Sequence, residues 1–179
     1  MMQLKILKSL EILSGLYQIK EEDMVEKNLI LENVRIGFRN FRGEEGKFNR
    51  KGNRNFCVFL EEKKGEELED AGWNIKWLEP RREGDDRTGC LQVSVAFNNY
   101  PPKVVMVTSK GQTVLDEEAI STLDNAELSN VDLIIRPYNW EVNGKSGTKA
   151  YLKSGYFTIM EDELYAKYNP DPDDEDLPF

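Results

Sequence analysis

Val131-Asp-Leu-Ile-Ile-Arg-Pro-Tyr-Asn-Trp-Glu-Val142, then Asn143-Gly144-Lys145-Ser146-Gly147, then Thr148-Lys-Ala-Tyr-Leu-Lys-Ser-Gly-Tyr-Phe-Thr-Ile-Met160: this stretch decides the fold. Both long runs are rich in β-branched and aromatic residues, which suit a pleated surface. Asn-Gly between two such runs is a strong short-range hairpin signal. The pattern predicts a long antiparallel hairpin with Arg136, Tyr138 and Trp140 on one face of its first strand. Lys149, Tyr151 and Lys153 share a face of the second, and Lys145 sits at the turn. Gly144-Lys145-Ser146 imitates the end of a phosphate-binding loop. The glycine that such a loop needs is Asn139 here, and the segment leads into a strand rather than a helix, so that reading is rejected.

Upstream, β alternation recurs from Asn28. Val34, Ile36 and Phe38 alternate with Asn33, Arg35 and Arg39, and Phe56, Val58 and Leu60 with Cys57, Phe59 and Glu61; Phe38 and Phe56, on these apolar faces, are expected to face the core. Trp73, Ile75 and Trp77 form a further apolar face, followed by Leu91 to Phe97 and Val104 to Thr108. Residues 62–71 read as a short polar helix stopped by Gly72, and Asp116 as the cap of a helix reaching Leu123. The fold class is therefore mainly β with short helices. Strands of this length with small helices between them suit an OB-type barrel carrying an extended hairpin, with extra strands decorating it.

The expected organisation is a helical extension over 1–27, a barrel over 28–160, a closing helix over 161–170 and an acidic, disordered tail over 171–179. Leu4, Leu7, Leu10, Leu13, Leu16 and Tyr17 keep helical spacing in the extension. The chain has 179 residues, a suitable length for one domain with appendages. Charged side chains interrupt its N-terminal apolar residues, which argues against a signal peptide or a membrane span and for a cytoplasmic location.

Formal net charge is −9, unevenly distributed. The tail supplies five negative charges and no cation, leaving −4 for residues 1–170. Between residues 35 and 54 stand Arg35, Arg39, Arg42, Lys47, Arg50, Lys51 and Arg54 against only Glu44 and Glu45, a local net of +5. Phe38, Phe41, Phe48 and Phe56 are interleaved with them. Cations along a backbone and flat faces for bases are what a single-strand binder needs. Gly43, Gly46 and Gly52 suggest a flexible loop able to close over a strand. Phe41 and Phe48 are candidate stacking residues, with burial in the core as the alternative. Lys76, between Trp73 and Trp77, extends the candidate surface.

Enzymatic readings find little support. Histidine is absent, which removes the commonest general base and metal ligand. Cys57 and Cys90 do not form a metal-type pair, and the carboxylate clusters at 116–118 and 161–163 read as helix starts. No cofactor is expected. The tail, Asp171-Pro-Asp173-Asp174-Glu175-Asp176-Leu177-Pro178-Phe179, is acidic but ends in an apolar tip that offers a ring and a carboxylate to a partner's pocket.

Phe38-Arg39-Asn40-Phe41, Asn53-Arg54-Asn55-Phe56, Gly72-Trp73-Asn74, Leu78-Glu79-Pro80-Arg81 and the hairpin blocks resemble a family of bacteriophage and prophage single-stranded DNA-binding proteins. The tail resembles the acidic, Phe-ended tip of such proteins generally. The resemblance implies an OB fold and sequence-independent coating of single-stranded DNA in an infected or lysogenic bacterial host. It also implies recruitment of replication or recombination proteins through the tail. Exposed barrel edges could pair subunits, so a homo-oligomer is an open expectation. The rival readings are a DNA-mimicking interaction protein and an RNA binder, since one stacking platform serves both polymers.

Overall fold

The computed structural model describes residues 27–162, Leu164 and Tyr168. The expected helix over 1–23 and the acidic tail lie outside the described residues. Of the closing helix only Glu161, Asp162, Leu164 and Tyr168 are described; the Tyr168 N–H donates to the Leu164 carbonyl at 3.2 Å, the i to i−4 bond of an α turn.

Among the described residues nine strands form one sheet, β1 (Leu29–Leu31), β2 (Arg35–Asn40), β3 (Arg54–Leu60), β4 (Ile75–Leu78), β5 (Thr88–Val95), β6 (Lys103–Thr108), β7 (Gly111–Leu115), β8 (Leu128–Val142) and β9 (Lys145–Ile159). A helix, α1 (Glu62–Asp70), follows β3, and a 3-10 helix spans Ala119–Asp124. The main path runs β1-β8-β9-β5-β3-β2. Its two ends meet where the Val34 N–H, just before β2, donates to the Val131 carbonyl of β8 at 3.0 Å. The sheet thus curls back on itself and brings the start of β2 beside β8. β5 and β9 are parallel where they meet, at Val93 and Ala150, while the remaining pairs on the path are antiparallel. β6 and β7 extend the sheet beyond the barrel from the far half of β9.

The hairpin is longer than expected and turns in two residues. Val142 pairs with Lys145, and Asn143 and Gly144 take φ 53° and 76°. Positive φ at both central residues matches the twist of the flanking strands, which explains the Asn-Gly choice. One strand escaped prediction, β7, because Gly111 to Val114 are exposed and do not alternate, and Leu115 alone of its residues is buried.

The inner face holds Phe41, Phe56 and Phe157, all fully buried. Phe41 stacks on Phe56 with ring centroids 5.2 Å apart, and Phe157 meets both edge-on. Trp73 and Ile75 are in the core as expected. Trp77 is half-buried; its ring packs against Gly65 of α1, its Nε1 donates to Glu69, and Arg87 lies 4.2 Å above it.

The expected inward position of Phe38 is overturned. The register of β2 on β3 shifts between Gly37 and Asn40, Phe38 takes φ 47°, and its ring is 69% exposed. Ile36 still faces inward opposite Val58, but the bulge turns Phe38 outward and Phe41 enters the core in its place.

Candidate nucleic-acid interface

On the outer face of the barrel, side chains of β3, β5 and β9 stand in a register row. Asn55 pairs with Ser94, Ser94 with Tyr151, and Tyr151 with Arg136 of β8. This row is the floor of an open groove of about 1100 Å³, bounded by the loop before β3, the loop after β5 and the upper hairpin.

The hairpin side of the groove carries the densest chemistry. The Arg136 guanidinium lies 5.1 Å from the Tyr100 ring and 5.5 Å from Tyr151. Tyr138 meets Tyr151 edge-on at 6.0 Å, and Lys149 lies 5.1 Å from Tyr151. Trp140 reaches across the hairpin, where a Cβ at Gly147 would stand 2.8 Å from its ring, so a larger residue there would displace the ring. Tyr138 and Trp140 remain exposed, at 52% and 39%. The charge-bearing stems are thus held among rings before any ligand arrives, which reduces the ordering cost of binding.

Opposite stand Phe48, 93% exposed, and Arg54. Arg54 pairs with Glu117 at 3.1 Å and lies 5.8 Å from the Phe97 ring; its buried Nε has no hydrogen-bond partner among the described residues. Lys76 of β4 also lines the groove. Among the described residues its lining therefore carries four cations, Arg54, Lys76, Arg136 and Lys149, and one carboxylate, Glu117.

The other predicted residues divide into two groups. Lys47, Arg50, Lys51, Lys145, Lys153 and Arg35 are exposed but outside the groove lining. Lys153 falls where the hairpin register shifts, since Leu152 pairs with Ile135 and Ser154 with Ile134. Arg39, Phe41 and Arg42 serve the fold instead. Arg39 donates to the carbonyls of Leu123 and Ala126 at 2.8 and 2.7 Å. Asp124 accepts from the Phe41 and Arg42 N–H groups and from Arg42 Nε, and this ion pair holds the Arg42 guanidinium above its usual range. Phe41, fully buried, has no face to offer a base: the bulge sends it inward.

The glycine-rich loop is also tied down rather than free. Asn49 Nδ2 donates to the carbonyls of Glu44, Arg50 and Asn53, and its Oδ1 accepts from Asn55. The Gly52 N–H closes the loop onto the Gly43 carbonyl at 2.8 Å.

Several groove residues were not anticipated. Asn49, Asn53, Asn55, Asn74, Asn98 and Asn99 supply neutral donors and acceptors, and Tyr100 supplies a ring 72% exposed. The Asn-rich strings 49–55 and 98–99 carried the signal, but asparagine in a loop usually marks a turn. Cys57 and Cys90 lie close on the same outer face. The hydrogen bond between the thiols and burial hold Cys57 above its usual range, while that bond and nearby Lys76 lower Cys90.

Cations held among upright rings along an open groove are the chemistry that suits a flexible, polyanionic single strand. The chain belongs to the family described as "Putative phage ssDNA-binding domain", whose model matches residues 18–177. It is accordingly a bacteriophage-type single-stranded DNA-binding protein, in a family of binders rather than enzymes. Among solved structures it is similar to the single-stranded DNA-binding protein from bacteriophage Enc34 in complex with ssDNA. That match has 14% identity, covers 75% of this chain and 88% of that one, and has a TM-score of 0.49. A C-terminal truncation of the Enc34 protein matches at 12% identity, with 75% and 87% covered and a TM-score of 0.48. The single-stranded DNA-binding protein gp2.5 encoded by bacteriophage T7 matches at 11%, with 83% and 97% covered and a TM-score of 0.37. No curated protein matches the chain. No helix among the described residues is long and apolar enough to cross a membrane.

Proposed function

We propose that this protein coats single-stranded DNA without reading its sequence, protecting it during phage replication or recombination in the host cytoplasm. The observation that carries this reading is Arg136 held between Tyr100 and Tyr151, beside exposed Tyr138 and Trp140. Bases stack on the rings while Arg136, Lys149, Lys76 and Arg54 neutralise phosphates. Each stack contributes about 1–3 kcal/mol and accepts any base. The asparagines adapt to whichever polar edge faces them. A cationic groove also disfavours the DNA-mimic reading.

Mixed-sequence oligonucleotides titrated at increasing salt test the proposal. The logarithm of affinity should fall with the logarithm of salt at a slope of about −0.7 per neutralised phosphate. A salt-insensitive interaction, or preference for duplex, would overturn it. A matched RNA strand as competitor separates the two polymers.

The tail extends the proposal. Its five acids complement the groove, and its Leu177-Pro178-Phe179 tip suits capture of a replication or recombination enzyme. Deleting residues 171–179 should raise DNA affinity, most at low salt where screening is weakest, and abolish partner capture. Unchanged affinity would remove the competition and leave recruitment standing.

A further inference from the structure

The outer face of the barrel carries a second aromatic cluster outside the groove lining, Phe38 of β2 and Phe59 of β3. Their centroids are 5.8 Å apart with the rings at 73°. Phe38 is at φ 47° and 69% exposed. Left-handed backbone is rare for a bulky side chain, and such strain concentrates at functional sites. Filling the core does not require it, because Phe41 occupies the interior there. Gly37 completes the arrangement: a Cβ at that position would collide with the Phe59 ring.

Strand register connects this cluster to the groove. Arg35 is opposite Phe59, Phe59 opposite Cys90, and Cys90 opposite Lys76, a row that crosses β2, β3, β5 and β4. Lys76, at the end of the row, also lines the groove. Along β3 the row lies four residues from Asn55 on the groove floor, about 13 Å at the usual rise per residue. Arg35 and Lys76 form no ion pair among the described residues. The sheet face therefore continues from the groove without a break, with a cation at each end of the row and an exposed ring beside it.

We propose that Phe38 and Phe59 form a second stacking station for single-stranded DNA, reached from the groove past Lys76, with Arg35 on the phosphates at its far end. The proposal rests on the DNA-binding reading of the groove. It fixes the direction of the strand, from the hairpin across β9, β5 and β3 to β2. It also accounts for a costly backbone conformation that displays Phe38 to solvent.

The test is Phe38→Gly in the full chain. Oligothymidines of about 5 and about 16 nucleotides, the span of site sizes for one OB fold, are compared by fluorescence anisotropy. The variant should bind the short strand like the parent and the long strand about tenfold more weakly, the loss of one base stack. Its melting temperature should rise, because glycine accepts a positive φ without strain. Parental affinity for both strands would overturn the station and leave the groove reading intact. Equal losses on both strands would also overturn it, assigning Phe38 to the groove itself. If the parent binds neither strand, both readings fail.

Discussion

The segment 35–54 and the hairpin 136–153 look alike in sequence, each mixing cations with aromatics, yet the fold treats them differently. The hairpin keeps its pattern as far as Tyr151, and of its expected residues only Lys153, at the register shift, and Lys145, at the turn, fall outside the groove lining. A two-residue turn sets the register, period 2 sets the face, and Arg136, Tyr138, Trp140, Lys149 and Tyr151 all reach the groove. The earlier segment loses its pattern at the bulge between Gly37 and Asn40. Beyond it Phe38 faces out, Phe41 faces in, and Arg39 and Arg42 bind the end of the 3-10 helix. Composition alone predicts two similar DNA-binding surfaces. Placement yields one assembled surface and one segment divided between fold and surface.

The sharpest way to break this contrast is Phe41→Ala. Phe41 is fully buried against Phe56 and Phe157, so truncation should cost about 3–5 kcal/mol of stability, read by denaturant unfolding. That is a large share of a typical domain's 5–15 kcal/mol, roughly speaking, so binding should be measured well below the new melting temperature. The protein that remains folded should keep its DNA affinity. Weakened binding without lost stability would return Phe41 to the interface.

Tyr151→Ala should give the opposite profile. Tyr151 sits on the groove floor within reach of Arg136, Lys149 and Tyr138, so its loss removes a stacking face and unseats Arg136. Affinity should fall by about 1–3 kcal/mol. Tyr151 is half-buried on the outer face, outside the core, so unfolding should change far less than for Phe41. A variant with parental affinity would mean the strand avoids the floor of the groove.

These two variants mark what could be read from residues alone. Where a strand is regular the sequence is transparent: the Asn-Gly turn, the hairpin faces and the buried Trp73 and Ile75 all follow from period and turn chemistry. Where a bulge intervenes, alternation points the wrong way, because one unpaired residue exchanges the two faces. The roles of Arg39 and Arg42 were hidden for another reason. Their partners, Leu123, Asp124 and Ala126, lie more than 80 residues away and become neighbours only in the folded barrel. The six groove asparagines come from separate segments that the sheet brings together, so no local window contains them all.

The smallest effect discriminates between cations, and it comes from Arg39→Ala beside Lys149→Ala. Both remove one positive charge from a region rich in them. Lys149 is exposed on the groove, where a phosphate can replace water at little cost. Its removal should make the salt slope shallower by about 0.7, with stability nearly unchanged. Arg39 already donates to two carbonyls, and those acceptors lose their donor when it is truncated. Arg39→Ala should therefore cost about 1–3 kcal/mol of stability and leave the slope alone. A nonspecific field would weigh the two charges by sign and proximity alone. A groove with defined phosphate positions distinguishes them, so equal changes in slope would mean that the field, rather than the geometry, holds the strand.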